Sequence, residues 1–196
     1  AAYMNDTITL TATPDAGYVF KEWQVLSGGV TVANDRFVMP DSDVTVKAVF
    51  EAIDYTVTVQ TDGHGTAGAS PVTAHINDTV TLTSTPDAGY LFKEWQVLDG
   101  HVTVSAADGH FTFVMPAENV TLKAVFEKEL YRISFDANGG SVSPAGALTN
   151  QEGKLDELPS PTRAWPYSFD GWYTKKTGGT RITADTVFWA DTTVYA

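Results

Sequence analysis

Alternation dominates the chain. The stretches Ile8-Thr9-Leu10-Thr11, Val80-Thr81-Leu82-Thr83, 55–59 and 44–50 each set apolar side chains on one parity and mostly Thr on the other. A period of two is that of a half-buried β-strand. Pro14-Asp15-Ala16-Gly17 and Pro86-Asp87-Ala88-Gly89 read as turns, because Pro presets φ and Gly accepts the left-handed position. The spacing Tyr-x-Phe-x-x-Trp occurs at Tyr18/Phe20/Trp23, Tyr90/Phe92/Trp95 and Tyr167/Phe169/Trp172. Tyr and Phe share a parity there and Trp has the other, so an unbroken strand would turn the Trp to the opposite face. A bulge or sharp twist is expected at this point, bringing all three rings into one core, with Gly171 placed to allow it in the third instance. The single helical candidate is 151–158, with Leu155 and Leu158 three apart and Pro159 and Pro161 to stop it.

The pattern also repeats. Residues 13–26 and 85–98 agree at 13 of 14 positions, at an offset of 72. Phe37-Val38-Met39-Pro40 returns as Phe113-Val114-Met115-Pro116 and 44–50 as 120–126, now at an offset of 76. The four extra residues fall between Val104 and Phe113, around Asp108-Gly109, a hairpin dipeptide where insertions cost little. A third, more distant unit echoes 55–59 at 131–135. The expected modules are therefore 1–53, 54–128 and 129–196. At the offset of 72, Ala1 falls opposite Thr73, so the first module has no counterpart of the strand at 55–59. A missing strand leaves an unpaired edge that another chain could fill. Short joints, 51–54 and 127–130, restrict bending between modules.

Composition narrows the class. Thr and Val fill 48 of 196 positions, and both are β-branched residues that suit a pleated surface. The absence of cysteine removes disulfides, cysteine–zinc sites and thiol nucleophiles. A net charge of −12 repels phosphate, so no nucleic acid is an expected partner. No apolar run approaches the length of about 18 residues that a membrane-crossing helix requires, so no membrane insertion is expected of this segment. The fold class is mainly β (β-rich α+β): tandem small modules in an elongated array, each drawing much of its core from its aromatic residues.

The third module carries Phe135-Asp136-Ala137-Asn138-Gly139-Gly140, Pro161-Thr162-Arg163, 167–173 (YSFDGWY), Gly178-Gly179-Thr180 and 190–196 (ADTTVYA). In that order these motifs closely resemble the Listeria–Bacteroides repeat, the internalin B-type B-repeat. Residues 1–128 resemble its divergent form through TPDAGY-x-FKEW and the F-V-M-P…V-T-x-K-A-V-F close. The resemblance implies β-grasp-like modules of secreted or wall-anchored proteins, mostly of Gram-positive and gut bacteria. It implies stalk or adhesion segments and no enzyme. Two departures stand out: Trp165-Pro166 where the family has Gly before its Tyr, and Phe188-Trp189 where it has small polar residues.

No catalytic residue, metal site or cofactor is expected. His64, His75, His101 and His110 show no ligand spacing, although His101 and His110 flank one hairpin. Asp41/Asp43 and Asp185/Asp191 form no nucleophile–base–orienter set and no calcium loop. Lys21 and Lys93 beside the core Trp raise the idea of a Lys–Asn cross-link, which lacks an obvious Asn. Trp23, Trp95 and Trp172 recur with the module and read as core. Trp165 and Trp189 do not recur. Large aromatics are usually buried, which favours packing of Trp165 under its Pro-rich loop and of Trp189 against a neighbouring module. Exposed, they and Tyr173 would form a platform for a host or bacterial glycan or a surface protein.

Overall fold

The computed structural model describes residues 2–107 and 109–196, and among them it contains strands and no helix. The mainly β class holds as expected, and among the described residues its minor α part is not seen. The first repeat supplies β1 (Thr7–Thr9), β2 (Tyr18–Ser27), β3 (Arg36–Val38) and β4 (Thr45–Ala52). The second supplies β5 (Tyr55–Thr61), β6 (Gly65–Ser70), β7 (Thr73–Ala74), β8 (Thr79–Pro86), β9 (Tyr90–Asp99), β10 (Ser105–Ala107), β11 (His110–Val114) and β12 (Val120–Lys128). The third supplies β13 (Arg132–Asp136), β14 (Gly146–Leu148), β15 (Trp172–Tyr173), β16 (Arg181–Ile182) and β17 (Thr192–Tyr195). Packing divides the chain into two compact units, Ala1–Thr85 with Glu94–Val125 and Pro86–Lys93 with Phe126–Ala196.

In the second repeat the strand order is β7-β5-β12-β9, beside a second sheet β10-β11-β8-β6. The third repeat forms one sheet in the order β14-β13-β17-β15-β16. In both, the module's first strand runs parallel to its closing strand: β5 with β12, where Val57 faces Val120, and β13 with β17, where Phe135 faces Val194. The first repeat has only the pairs β1-β3 and β2-β4.

The alternating positions close the cores as their parity demands. Val57, Val80, Leu82, Phe113, Met115 and Leu122 cluster in the first unit, and Ile133, Phe135, Leu155, Trp172, Phe188 and Val194 in the second. The bulge expected inside Tyr-x-Phe-x-x-Trp is present in β2, where the register with β4 shifts between Phe20 and Glu22. It brings Phe20 against Trp23 at 5.1 Å, as Phe169 lies against Trp172 at 5.7 Å. The expectation that all three rings share one core does not hold, because Tyr18, Tyr167 and Phe169 are exposed. The Tyr stands five residues before the Trp, across the bulge, and stays on the outer side.

The helix expected over 151–158 is a turn instead. Asn150 Oδ1 accepts hydrogen bonds from the backbone of Glu152 and Lys154, an Asx geometry that competes with helical hydrogen bonding. Gly153 sits at a φ of +77°, which ends any helical run, and Leu155 enters the core from the loop. Asp108 lies outside the described residues; of the expected Asp108-Gly109 hairpin, the antiparallel pairing of Ala107 with His110 is seen.

Each joint is tied to the turn before it. Ile53 N–H donates to the Gly17 carbonyl at 2.8 Å, and Glu129 N–H to the Gly89 carbonyl at 2.9 Å. The ion pairs Lys21–Glu51 at 3.0 Å and Lys93–Glu127 at 3.3 Å accompany them. Both ion pairs are half-exposed, which is not the setting of a buried amide cross-link.

Candidate functional site

The chemistry-bearing surface of the third repeat is built on its loops. At its base, Asn138-Gly139-Gly140 turns the chain after β13, with Asn138 and Gly139 at φ of 49° and 90°. A Cβ on Gly140 would stand 2.4 Å from the Thr162 carbonyl oxygen, so this close approach needs glycine. Ser141 and Thr162 then exchange two backbone hydrogen bonds of 2.8 Å, fixing where the loop towards Trp172 begins. Trp172 anchors its far end: the ring is 1% exposed, lies 4.9 Å from Phe135 and donates its indole N–H to the Pro159 carbonyl at 2.7 Å.

Between these two anchors lies an open cleft of about 510 Å³, lined in part by Asn138, Arg163, Tyr167, Phe169, Asp170 and Tyr173. The Arg163 guanidinium stacks 3.7 Å over the Tyr167 ring and donates to the Asn138 carbonyl at 2.7 Å. The Tyr173 hydroxyl donates to Asp170 Oδ2, and that bond, ahead of burial, raises the Tyr173 pKa above its ordinary value of 10. Arg181 donates to the Asp170 carbonyl at 2.7 Å and holds the loop from the other side. Aromatic faces beside a fixed cation and a fixed carboxylate can stack an apolar ring face and hydrogen-bond its edge. None of these groups forms a nucleophile with an oriented base.

The sequence-predicted residues fall in three places. Tyr173 lines the cleft. Trp165 is 92% exposed and Trp189 73% exposed, and neither contributes to the cleft lining. Trp189 is within 5.7 Å of the Lys128 ammonium, which also lies 5.1 Å from the Tyr90 ring. The expectation that both Trp side chains pack away is therefore corrected: Trp165 stands on a loop of consecutive exposed residues, and Phe188, not Trp189, takes the core position. Arg163, Tyr167 and Phe169 were read from sequence only as family motif or core; their clustering within seven residues of a Pro-containing loop was the available signal.

No histidine lines this cleft. His101 Nδ1 lies 2.7 Å from Glu118 Oε1, and His75 Nε2 lies 3.0 Å from Asp54 Oδ1. The His101 pKa is raised chiefly by its hydrogen bond to Glu118, whose own pKa the same bond lowers. Among the described residues no group of three or more His, Cys, Asp or Glu converges as a metal site.

Family models cover the whole chain. The divergent InlB B-repeat domain matches residues 1–54 and 55–130, and the Listeria-Bacteroides repeat domain matches 131–196. The chain belongs to the InlB B-repeat family. The relatives of these B-repeats include a protein of Evansella cellulosilytica described as a Gly-rich membrane protein, 32% identical over 92% of this chain and 20% of its own length. Internalin H of Listeria monocytogenes is 33% identical over 73% of this chain and 24% of its own length. A second Evansella cellulosilytica membrane protein is 33% identical over 66% of this chain. The three B-repeats thus span about a fifth to a quarter of the relatives they match. No solved structure matches the chain.

Proposed function

We propose that these B-repeats form a non-catalytic spacer in a secreted or wall-anchored bacterial surface protein, presenting an adhesive or other domain of the parent chain. The observation that carries this reading is the repeated joint. Ile53 and Glu129, 76 residues apart, make the same backbone hydrogen bond to the glycine of the preceding Pro-Asp-Ala-Gly turn. A spacer needs joints with little freedom, and a four-residue connection held at one residue has few soft dihedrals left. The acidic charge of −12 disfavours self-association of neighbouring copies. Small-angle X-ray scattering tests this reading, comparing the native chain with a variant carrying a Gly-Ser joint at 51–54. A single defined maximum dimension that broadens in the variant is the expected result. Native scattering already characteristic of freely jointed beads would refute it.

A second reading rests on Trp165 and Trp189. Their exposure, with the Tyr173 cleft on the same repeat, suits a module that itself binds a host or bacterial glycan or surface protein. Tryptophan fluorescence against a glycan panel separates the two readings. A saturable shift lost in Trp165→Ala or Trp189→Ala makes the third repeat a recognition module. A flat response from folded protein leaves the spacer alone.

A further inference from the structure

Trp189 does not recur in the other repeats, and two equivalent clamps fix its place. Asp191 Oδ1 accepts the backbone N–H of Arg132 at 2.8 Å, as Asn119 Oδ1 accepts that of Thr56 at 2.8 Å. Trp189, two residues before Asp191, therefore stands where the second repeat has Ala117. Its backbone is pinned on both sides. Phe188 donates its N–H to the Gly153 carbonyl at 2.8 Å with its ring in the core, and the Thr192 hydroxyl donates to the Ala190 carbonyl at 2.9 Å. On so rigid a mount, the Trp189 side chain loses little further freedom when it meets a partner.

That partner is Lys128. Its ammonium lies 5.1 Å from the Tyr90 ring centroid and 5.7 Å from that of Trp189, within reach of both rings. Glu127 and Glu129 flank Lys128 in sequence, yet among the described residues it makes no ion pair. Glu127 pairs with Lys93 at 3.3 Å, and Glu129 accepts the Tyr131 hydroxyl at 3.3 Å. In a chain with twice as many acidic as basic side chains, charge alone does not leave a lysine to two rings. All three residues fall in one compact unit, Pro86–Lys93 with Phe126–Ala196.

The first joint has neither half of this arrangement. At the offset of 76, Lys128 corresponds to Ala52. At the offset of 72, Tyr90 corresponds to Tyr18, which is 44% exposed while Tyr90 is half-buried. Lysine and tryptophan thus enter together, at the joint where a divergent repeat meets a Listeria-Bacteroides repeat.

We propose that Trp189 is a clasp, which the third repeat closes on Lys128 and Tyr90 of the second, holding the joint 127–130 more tightly than 51–54 is held. The clasp deepens the spacer reading, on which its use rests. It assigns the Trp189 ring to Lys128, where the recognition reading needs that ring for a ligand.

The test follows hydrogen exchange of the Glu129 amide, whose bond to the Gly89 carbonyl closes the joint, with the Ile53 amide as the matched control. Trp189 is 73% exposed, so its removal leaves the core intact. Trp189→Ala and Lys128→Ala are each expected to speed Glu129 exchange about two- to fivefold and to leave Ile53 unchanged. Lys128→Arg, which keeps a cation by the rings, is expected to exchange as the native chain does. Adding Trp189→Ala to Lys128→Ala is expected to change nothing more, because the contact is already gone. Upfield-shifted ε-methylene protons of Lys128, moving back in Trp189→Ala, are the accompanying NMR signature. Unchanged Glu129 exchange in both single variants overturns the proposal. So does an effect of Trp189→Ala that survives undiminished without Lys128. Freely jointed scattering from a native chain that shows the coupling would refute the spacer reading and leave the clasp established.

Discussion

The first and second repeats put nearly the same strand into two different surroundings. Residues 44–50 and 120–126 differ at one position, yet Phe126 is 5% exposed and Phe50 38% exposed. Leu122 and Ala124 are fully buried, while Val46 and Ala48 are only half-buried. Local conformation is shared: each strand pairs with the strand that carries its repeat's Trp, and both Phe rings meet their partner edge-on at 6.0 Å, Phe20–Phe50 and Phe92–Phe126. The difference is one neighbour, the parallel β5. Side-chain pattern decides that a strand forms, whereas the strand beside it decides how much of that pattern leaves water.

The comparison is broken most severely in the core. Leu122→Ala is expected to cost the second repeat about 2–5 kcal/mol, by lost transfer energy and a cavity, whereas Val46→Ala is expected to cost about 1 kcal/mol or less in the first. Urea unfolding followed by residue-resolved NMR distinguishes the repeats, and equal costs would mean that β5 contributes no burial. The turn glycines sharpen the contrast at a middle scale. Gly17 and Gly89 both adopt positive φ, +82° and +79°. A Cβ on Gly17 would also stand 2.4 Å from Ile76 Cγ2, while the nearest atom to one on Gly89 is 3.8 Å away. Gly89→Ala is therefore expected to cost about 1 kcal/mol for the backbone alone, and Gly17→Ala about 1–2 kcal/mol more. The smallest effect is pH. His101, raised by Glu118, stabilises below its ordinary value of 6.5, and that contribution fades as pH rises through its higher folded value. Glu118, lowered by His101, stabilises above its ordinary value of 4.5, and that contribution fades as pH falls through its lower folded value. The pair's contribution is thus greatest between pH 4.5 and 6.5, small because both groups are exposed, and absent in Glu118→Gln. The first repeat, with Gly29 and Ser42 at these positions, shows no such maximum.

Much of this architecture was legible in the residues. Period-two alternation located the strands, self-comparison located the repeats, and the parity conflict in Tyr-x-Phe-x-x-Trp located the bulge at Lys21. What failed depended on facts outside the local pattern. The 151–158 stretch has helical spacing, but the Asn150 side chain competes for the same backbone N–H groups. Trp165 and Trp189 are large enough to expect burial, but burial of a residue that does not recur depends on where its loop runs. The cleft around Tyr173 was only partly visible for the same reason. Tyr167 and Phe169 share the motif of the core rings, and only the loop's path puts them on the outside.

The parallel ladders have a consequence for force. Tension applied along a complete repeat pulls the start of its first strand one way and the end of its last strand the other. Those strands are neighbours, β13 beside β17 over four paired positions, and they point in the same direction. The load therefore runs lengthwise through the ladder, and its hydrogen bonds must fail together instead of peeling one at a time. A module held this way resists shear far better than its modest core would suggest, whereas β4 carries no such lock without its parallel neighbour.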